Sequence, residues 1–226
     1  MRWILTVAVL SALTLGALAW SASPAFATWV SSNCYANNYA DSNVRRSDAQ
    51  AYATVAEQEG YEWGGGCWNN NNRDDTPNQP DSSGEGPDCS GLTFKTWEMK
   101  NTYGKSGWRY WDKWQDEHGP YATADYHGVG QSSSLPFYRL PNKNRSTTLY
   151  MDAFAKDGHV GMLYTSSDPG NGLDYIIEAL GDAYGTDVFE EDYRSDSAYV
   201  AIRRKDWTPD CFPNCSLHPP VLVMVP

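Results

Sequence analysis

The sequence predicts an α+β fold in which helices come first and an antiparallel sheet follows. Helical signals occupy residues 48–59 and 89–100. Four short apolar segments with strand character come after them, at residues 149–155, 159–164, 174–180 and 199–203. Because the helices and strands are grouped rather than alternating, their order favours α+β over a parallel α/β sheet.

Each predicted helix has its own start signal. Ser47 and Asp48 are of the residue types that cap helix N-termini, and Gly60 is placed to end the first, Ala-rich helix. Asp88 is a similar cap immediately before Cys89, where the second helix begins. The apolar residues of this second helix lie on more than one side, so we expect it to be buried on two faces.

Residues 159–164 and 174–180 predict a β-hairpin, because a strong turn signal at residues 167–172 separates them. With the turn centred near the middle of that signal, His159 and Glu178 lie opposite each other or one step off diagonally, on one face of the hairpin. The other face then carries side chains suited to burial: Val160, Met162, Tyr164, Tyr175 and Ile177.

The N-terminus predicts an exported protein. Residues 1–27 have the pattern of a secretory signal peptide, with a long apolar run and an Ala-Phe-Ala cleavage pattern at their end. We therefore expect a secreted protein, extracellular or associated with the cell wall. After the signal peptide we predict an irregular segment at 28–46, one domain at 47–207 and a Cys/Pro-rich tail at 208–226.

The charge of the chain bears on its partners. The net charge is −11 and no basic cluster is present, which excludes the electrostatic footprint of a nucleic-acid-binding protein. We expect no nucleic-acid partner, no membrane contact after signal cleavage, and a monomer. The remaining histidines, His118, His127 and His218, have no ligand-like spacing to cysteine, and we expect no metal and no organic cofactor.

The cysteine count singles out one residue. Five cysteines is an odd number for an exported chain, in which cysteines normally pair. Cys34 and Cys67 flank the first helix, and Cys211 and Cys215 lie close together in the tail, so we predict disulfides among these four. Pairing Cys211 with Cys215 in a small loop, and Cys34 with Cys67, is one of three possible arrangements. Cys89 is left over, and a free thiol in an oxidising compartment usually has a use.

Cys89, His159 and Glu178 together form a candidate catalytic set. Cysteine attacks as the thiolate, and a helix N-terminus favours an anion. An imidazole can take the thiol proton, and a carboxylate beside the imidazole fixes its tautomer. The competing interpretations are a buried structural cysteine and a structural His–Glu pair. The small polar residues around Cys89 are not typical of a core position.

Three short motifs resemble those of the NlpC-type cysteine peptidases, papain-like enzymes that hydrolyse cell walls. The motifs are Tyr61-Glu62-Trp63-Gly64-Gly65, Asp88-Cys89-Ser90-Gly91-Leu92 and Gly158-His159-Val160-Gly161. The resemblance covers about residues 47–207. It implies a papain-like α+β fold, with N-terminal helices packed on an antiparallel sheet, and hydrolysis of amide bonds in peptidoglycan stem peptides.

The resemblance also implies roles for individual residues. Cys89 is the nucleophile, His159 the general base, and Glu178 the third polar residue, at a position where His, Asn or Gln is more common in the family. Tyr61 matches a tyrosine thought to help bind the substrate or the oxyanion. The residues themselves add two supporting positions: Asp88 caps the helix beside Cys89, and the small Ser90 leaves room for a substrate.

Two other functions remain open at this point. The same nucleophile would serve a transacylase, or an amidase acting on other amide substrates. Alternatively, the protein is a secreted glycan-binding or effector protein without catalysis, in which the aromatic-rich residues 107–126 grip a glycan. For the aromatic cluster at 107–118, core packing at helical spacing is the favoured interpretation, and for the polar stretch 68–87 a solvated loop.

Overall fold

The computed structural model describes residues 44–57, 59–67, 86–99 and 119–210. Within these ranges, three helices come in the order α1 (Arg46–Thr54), α2 (Cys89–Thr96) and α3 (Thr123–Gly128). The same ranges contain eight strands: β1 (Gly66–Cys67), β2 (Gly86–Pro87), β3 (Phe137–Arg139), β4 (Ala153–Lys156), β5 (His159–Leu163), β6 (Asp174–Gly181), β7 (Gly185–Glu191) and β8 (Val200–Arg204). The predicted α+β class is confirmed.

The centre of the fold is a six-stranded antiparallel sheet with the strand order β3-β8-β4-β5-β6-β7. One hydrophobic cluster joins residues of all three helices to sheet residues, among them Val160, Met162 and Ile177. A second cluster contains Phe154 and Leu163. Leu163 follows Met162 directly in β5, so its side chain points to the opposite face of the sheet. Apolar side chains are therefore buried on both faces of the sheet.

The first helix differs from the prediction at both ends. It begins at Arg46, after an extended Arg45 with no side-chain cap. Ser47 does not cap it, because its hydroxyl donates instead to Asp210 at 2.7 Å. The helix ends at Thr54 and continues to residue 57 only as tighter turns with i to i−3 hydrogen bonds.

The second helix starts where it was predicted and ends earlier. It stops at Thr96, and Glu98 adopts a positive φ of 42°, which breaks the helical path. Its expected burial on two faces is confirmed, because Leu92 and Phe94, two residues apart and so on different sides of the helix, are at most 1% exposed.

The strands were predicted better in the middle of the sheet than at its edges. The segment predicted as 149–155 is a strand only from Ala153, since residues 149–152 form a turn closed by the Asp152 carboxylate on the Leu149 N–H. The helix α3 and the strands β3 and β7 were missed. β7 is an edge strand rich in polar residues, so it lacks the apolar alternation that marks a strand in sequence.

The hairpin register follows one of the two predicted possibilities. Met162 pairs with Ile177 and Leu163 with Ile176. Continuing this register places Glu178 beside Gly161, one step diagonally from His159 and on the same face. The predicted apolar face is also present, since Val160, Met162 and Ile177 are fully buried.

The domain reaches slightly beyond the predicted limits of 47 and 207. Arg45 forms a β-bridge with Thr208, whose N–H donates to the carbonyl of Val44. Asp210 accepts hydrogen bonds from Ser47 and from the hydroxyl of Tyr150. The start of the predicted tail is thus part of the fold. Arg46, inside the segment predicted as irregular, is helical.

Several predictions lie outside the described residues. These are the signal peptide, the four cysteines predicted to pair (for Cys67, its side chain), most of the 68–87 stretch and the aromatic cluster at 107–118. Within the described ranges, no helix is long and apolar enough to cross a membrane.

A buried ion cluster ties α1 to the sheet. Asp152 is 1% exposed and forms ion pairs with Arg46 at 2.8 Å and with Arg203 at 2.6 Å. Arg46 is itself 7% exposed and also donates to the backbone carbonyl of Tyr150. Removing the carboxylate would leave two arginines without their anion, one of them almost fully buried.

We therefore expect Asp152→Ala to lower the free energy of unfolding by about 3 kcal/mol, the scale of a broken buried ion pair. Urea denaturation of both proteins measures the change. Asp168→Ala is the matched control: that carboxylate is 51% exposed and pairs with Arg145 at 3.5 Å, so its loss should change the free energy by less than about 1 kcal/mol. Equal effects of the two substitutions would contradict this assignment.

Candidate active site

Asp88 organises the N-terminus of α2. It has an extended backbone, and its Oδ1 accepts hydrogen bonds from the Gly91 N–H at 2.6 Å and from the Ser90 hydroxyl at 2.8 Å. Its Oδ2 accepts from the N–H of Gly64 at 3.1 Å. The carboxylate therefore caps the helix and ties it to the glycine turn that precedes β1.

That glycine turn lies close to the chain leading into α2. The Asp88 N–H donates to the carbonyl of Gly65 at 2.8 Å. A Cβ on Gly65 would collide with the carbonyl oxygen of Gly86, and one on Gly86 would lie 2.5 Å from the carbonyl oxygen of Gly60. Only glycine permits this approach, which explains the glycines at positions 65 and 86.

Cys89 is the first residue of α2, free and 7% exposed. The first-turn N–H groups of Gly91 and Leu92 are taken by Asp88, through its side chain and its carbonyl respectively. Among the described residues, the N–H groups of Cys89 and Ser90 have no acceptor. Two backbone donors next to the sulfur are thus available to a negatively charged oxygen.

His159 opens β5 and joins the other two candidates. Its Nε2 lies 2.6 Å from Oε2 of Glu178. Burial by itself lowers the pKa of His159, but hydrogen bonds to Cys89 and Glu178, together with the charges of these two groups, outweigh it and raise the pKa to about 9. The structure therefore brings Cys89, His159 and Glu178 together, with the imidazole in the middle.

Glu178 is fully buried on β6, and a second donor reaches it. The hydroxyl of Tyr193 donates to the same Oε2 at 2.8 Å. The ring of Tyr193 stacks on Tyr199 with centroids 3.9 Å apart, and both rings lie edge-on to His159. Sequence reasoning missed both tyrosines, and no motif or spacing marks them.

The two remaining support residues have different surroundings. Tyr61 is half-buried, and its pKa is raised by burial and then by the charges of Asp88, Cys89 and Asp182, so its phenol lies within electrostatic range of the site. Ser90 is buried and donates its hydroxyl to Asp88. Its observed contact supports the helix cap, and its predicted contact with substrate remains a prediction.

Gly161 leaves the space in which the carboxylate sits. A Cβ at this position would lie 2.7 Å from Oε2 of Glu178 and 2.6 Å from Cγ2 of Ile176. Both distances are shorter than van der Waals contact allows. The second glycine of the Gly158-His159-Val160-Gly161 motif is thus explained by the buried Glu178.

Comparisons of the chain with protein-family models, with curated proteins and with solved structures found no match. In the described part of the chain, no three or more His, Cys, Asp or Glu side chains are grouped so that they could hold a metal ion. The site is therefore interpreted from its own geometry and from its motifs.

Gly161→Ala should displace the Glu178 carboxylate, because the new methyl group and Oε2 cannot occupy the same space. His159 then loses a bond that stabilises its charged form, and its pKa should fall from about 9 toward its ordinary value of 6.5. An NMR titration of the His159 ring measures the shift. Gly128→Ala is the control, since nothing lies within 4 Å of a Cβ there; an unchanged His159 titration in Gly161→Ala would contradict the proposed contact.

The raised pKa of His159 predicts a dependence of stability on pH. Because the folded state holds the proton more tightly than the unfolded chain, the stabilisation by His159 is complete below pH about 6.5 and is lost as the pH rises through about 9. Urea unfolding at a series of pH values should show a smaller decrease over this range in His159→Gln than in the unaltered protein. If the free energy of unfolding changed with pH in the same way in both proteins, the proposed contribution of His159 would be refuted.

Proposed function

We propose that the protein is a secreted cysteine hydrolase with a papain-like fold of the NlpC type, cleaving amide bonds in peptidoglycan stem peptides. One observation carries the proposal: a free cysteine at the head of a helix interacts with an imidazole that a buried carboxylate holds from behind. The order of helices before an antiparallel sheet is compatible with it.

The catalytic steps follow from this arrangement. Since Nε2 of His159 is engaged by Glu178, Nδ1 is the nitrogen that serves Cys89. It takes the thiol proton, and the thiolate adds to the substrate carbonyl to form a tetrahedral intermediate. The free backbone N–H groups of Cys89 and Ser90 stabilise the oxyanion. The imidazolium donates its proton to the departing amine, and an acyl-enzyme thioester remains.

Water completes the cycle. His159 accepts a proton from a water molecule, which attacks the thioester carbonyl. The thiolate then leaves, and the acid product is released. The part of Glu178 is to orient the imidazole and to stabilise its positive charge. For Tyr61 we propose contact with the bound peptide, as the resemblance of its motif implies.

The proposed substrate class is supported by sequence motifs, whereas the proposed reaction type is supported by the geometry of the site. The peptidoglycan assignment depends on the three motifs, and the secreted location depends on residues 1–27. In the alternative function, aromatic side chains of residues 107–126 bind a glycan. Tyr121 and Tyr126 are not accessible for such binding, since both are fully buried in the core. Aromatic residues at 107–118 lie outside the described ranges.

Cys89→Ala and His159→Gln should each reduce cleavage of purified peptidoglycan by about 10³-fold or more, the scale expected when a catalytic nucleophile or base is removed. Chromatography of the released fragments measures the rate, and circular dichroism verifies folding. His127→Gln is the control, because His127 is a partly buried histidine on α3 with no assigned role. Undiminished cleavage by Cys89→Ala would end the proposal.

The alternative acyl acceptor is tested in the same assay. With an added primary amine, a transacylase yields the amide of that amine, whereas a hydrolase yields the free acid even when the amine is present. Amide as the main product would replace the hydrolase assignment with a transacylase that uses the same nucleophile.

A further inference from the structure

We infer that Tyr193 is a positioning residue of this site, which holds the Glu178 carboxylate in the orientation that serves His159. The inference rests on the proposed function insofar as it treats Cys89, His159 and Glu178 as one working unit. It adds a fourth member, which lies 15 residues beyond Glu178 in sequence and outside every motif of the chain.

The geometry around one oxygen atom carries the argument. Oε2 of Glu178 accepts from Nε2 of His159 at 2.6 Å and from the Tyr193 hydroxyl at 2.8 Å. The other oxygen, Oε1, is buried without any hydrogen-bond partner in the described residues. If the Glu178 carboxylate rotated out of this position, Oε2 would lose the hydrogen bonds from His159 and Tyr193. The phenol and the imidazole together therefore hold the carboxylate in one orientation.

Tyr193 is itself held firmly. Its ring stacks on Tyr199 with an interplanar angle of 16° and meets Phe154 edge-on at 6.4 Å. The ammonium group of Lys156 lies over the ring of Tyr199, 4.8 Å from its centroid. The next residue, Arg194, forms an ion pair with the buried Asp174 at 2.7 Å. The hydroxyl therefore has little freedom to leave the carboxylate.

The surrounding elements supply no competing donor for Glu178. Facing the His159–Glu178 pair are Cys89 from α2, Lys156 from β4, Glu191 from β7 and the two tyrosines. Glu191 is an acceptor whose pKa is raised by partial burial and by the Glu178 charge. Lys156 is directed to the Tyr199 ring. Among the described side chains, only His159 and Tyr193 hydrogen-bond to the carboxylate.

A buried tyrosine hydroxyl needs an acceptor in any protein, so the contact alone would also suit a purely structural role. The two roles differ in what the loss of the hydroxyl affects. A structural hydroxyl contributes to stability alone. A positioning hydroxyl changes the reactivity of Cys89, and it does so only through Glu178.

The test is the rate at which iodoacetamide alkylates Cys89 at pH 7, followed by mass spectrometry. Tyr193→Phe keeps the aromatic stack and removes the hydroxyl, and we expect alkylation to slow about tenfold, the effect of losing one hydrogen bond to a charged group. Tyr175→Phe is the matched control. Tyr175 lies on the same strand as Glu178 but on the opposite face, so this variant should react like the unaltered protein. This reaction needs no substrate, so it stays informative even if peptidoglycan is not cleaved.

A double variant separates the two roles. If Tyr193 acts through Glu178, adding Tyr193→Phe to Glu178→Gln should slow alkylation little further, whereas independent effects would multiply. With peptidoglycan as substrate, Tyr193→Phe should lower kcat and leave KM unchanged. Rate effects that multiply in the double variant, or normal alkylation in a folded Tyr193→Phe protein, would overturn the inference.

A measurement on the unaltered protein covers the case in which Tyr193→Phe does not fold. The proton NMR spectrum should contain a slowly exchanging hydroxyl resonance from Tyr193 with a cross-peak to the Nε2 proton of His159, because both protons point at one oxygen. A Tyr193 hydroxyl in fast exchange with water would overturn the inference as well.

Discussion

The burial of the Glu178 carboxylate is the constraint around which the rest of the site is arranged. A carboxylate with no exposed surface is costly unless hydrogen bonds and an opposite charge compensate it. The imidazole of His159 supplies both, and Tyr193 adds a second donor. This need explains a glycine at position 161, where any side chain would occupy the volume of the carboxylate. Together with Cys89, the Glu178 carboxylate raises the pKa of His159 to about 9.

The two buried carboxylates of the site serve different ends. Asp88 is satisfied by backbone N–H groups and a hydroxyl, so its charge stabilises the start of α2 and fixes the glycine turn against it. It takes the Gly91 N–H, and in the proposed mechanism the donors at Cys89 and Ser90 serve the substrate oxyanion. Glu178 is satisfied by side chains, and its charge acts on the imidazole. In the proposed mechanism, one carboxylate positions the nucleophile and the other orients the base.

The prediction from sequence succeeded for elements whose local sequence signals match their burial in the fold. It failed for elements whose local signals do not reflect their place in the fold. The strands at 159–163 and 174–181 have apolar residues on one face and a strong turn between them, and both were predicted within one residue at each end. The edge strand β7 carries charges instead of an apolar face and was missed. The start of α1 was misplaced because Ser47 bonds to Asp210, a partner that lies far along the chain.

The sequence by itself determined the α+β class, the helix start at Cys89 and the shared face of His159 and Glu178, because these depend on caps, turns and a period of two, all local properties. Only the tertiary structure decided that Tyr193 meets the carboxylate, that Gly161 must lack a side chain and that α2 presents Cys89 to the imidazole. These contacts join residues from separate elements. Their geometry depends on how the sheet and the helices pack, and no local pattern encodes it.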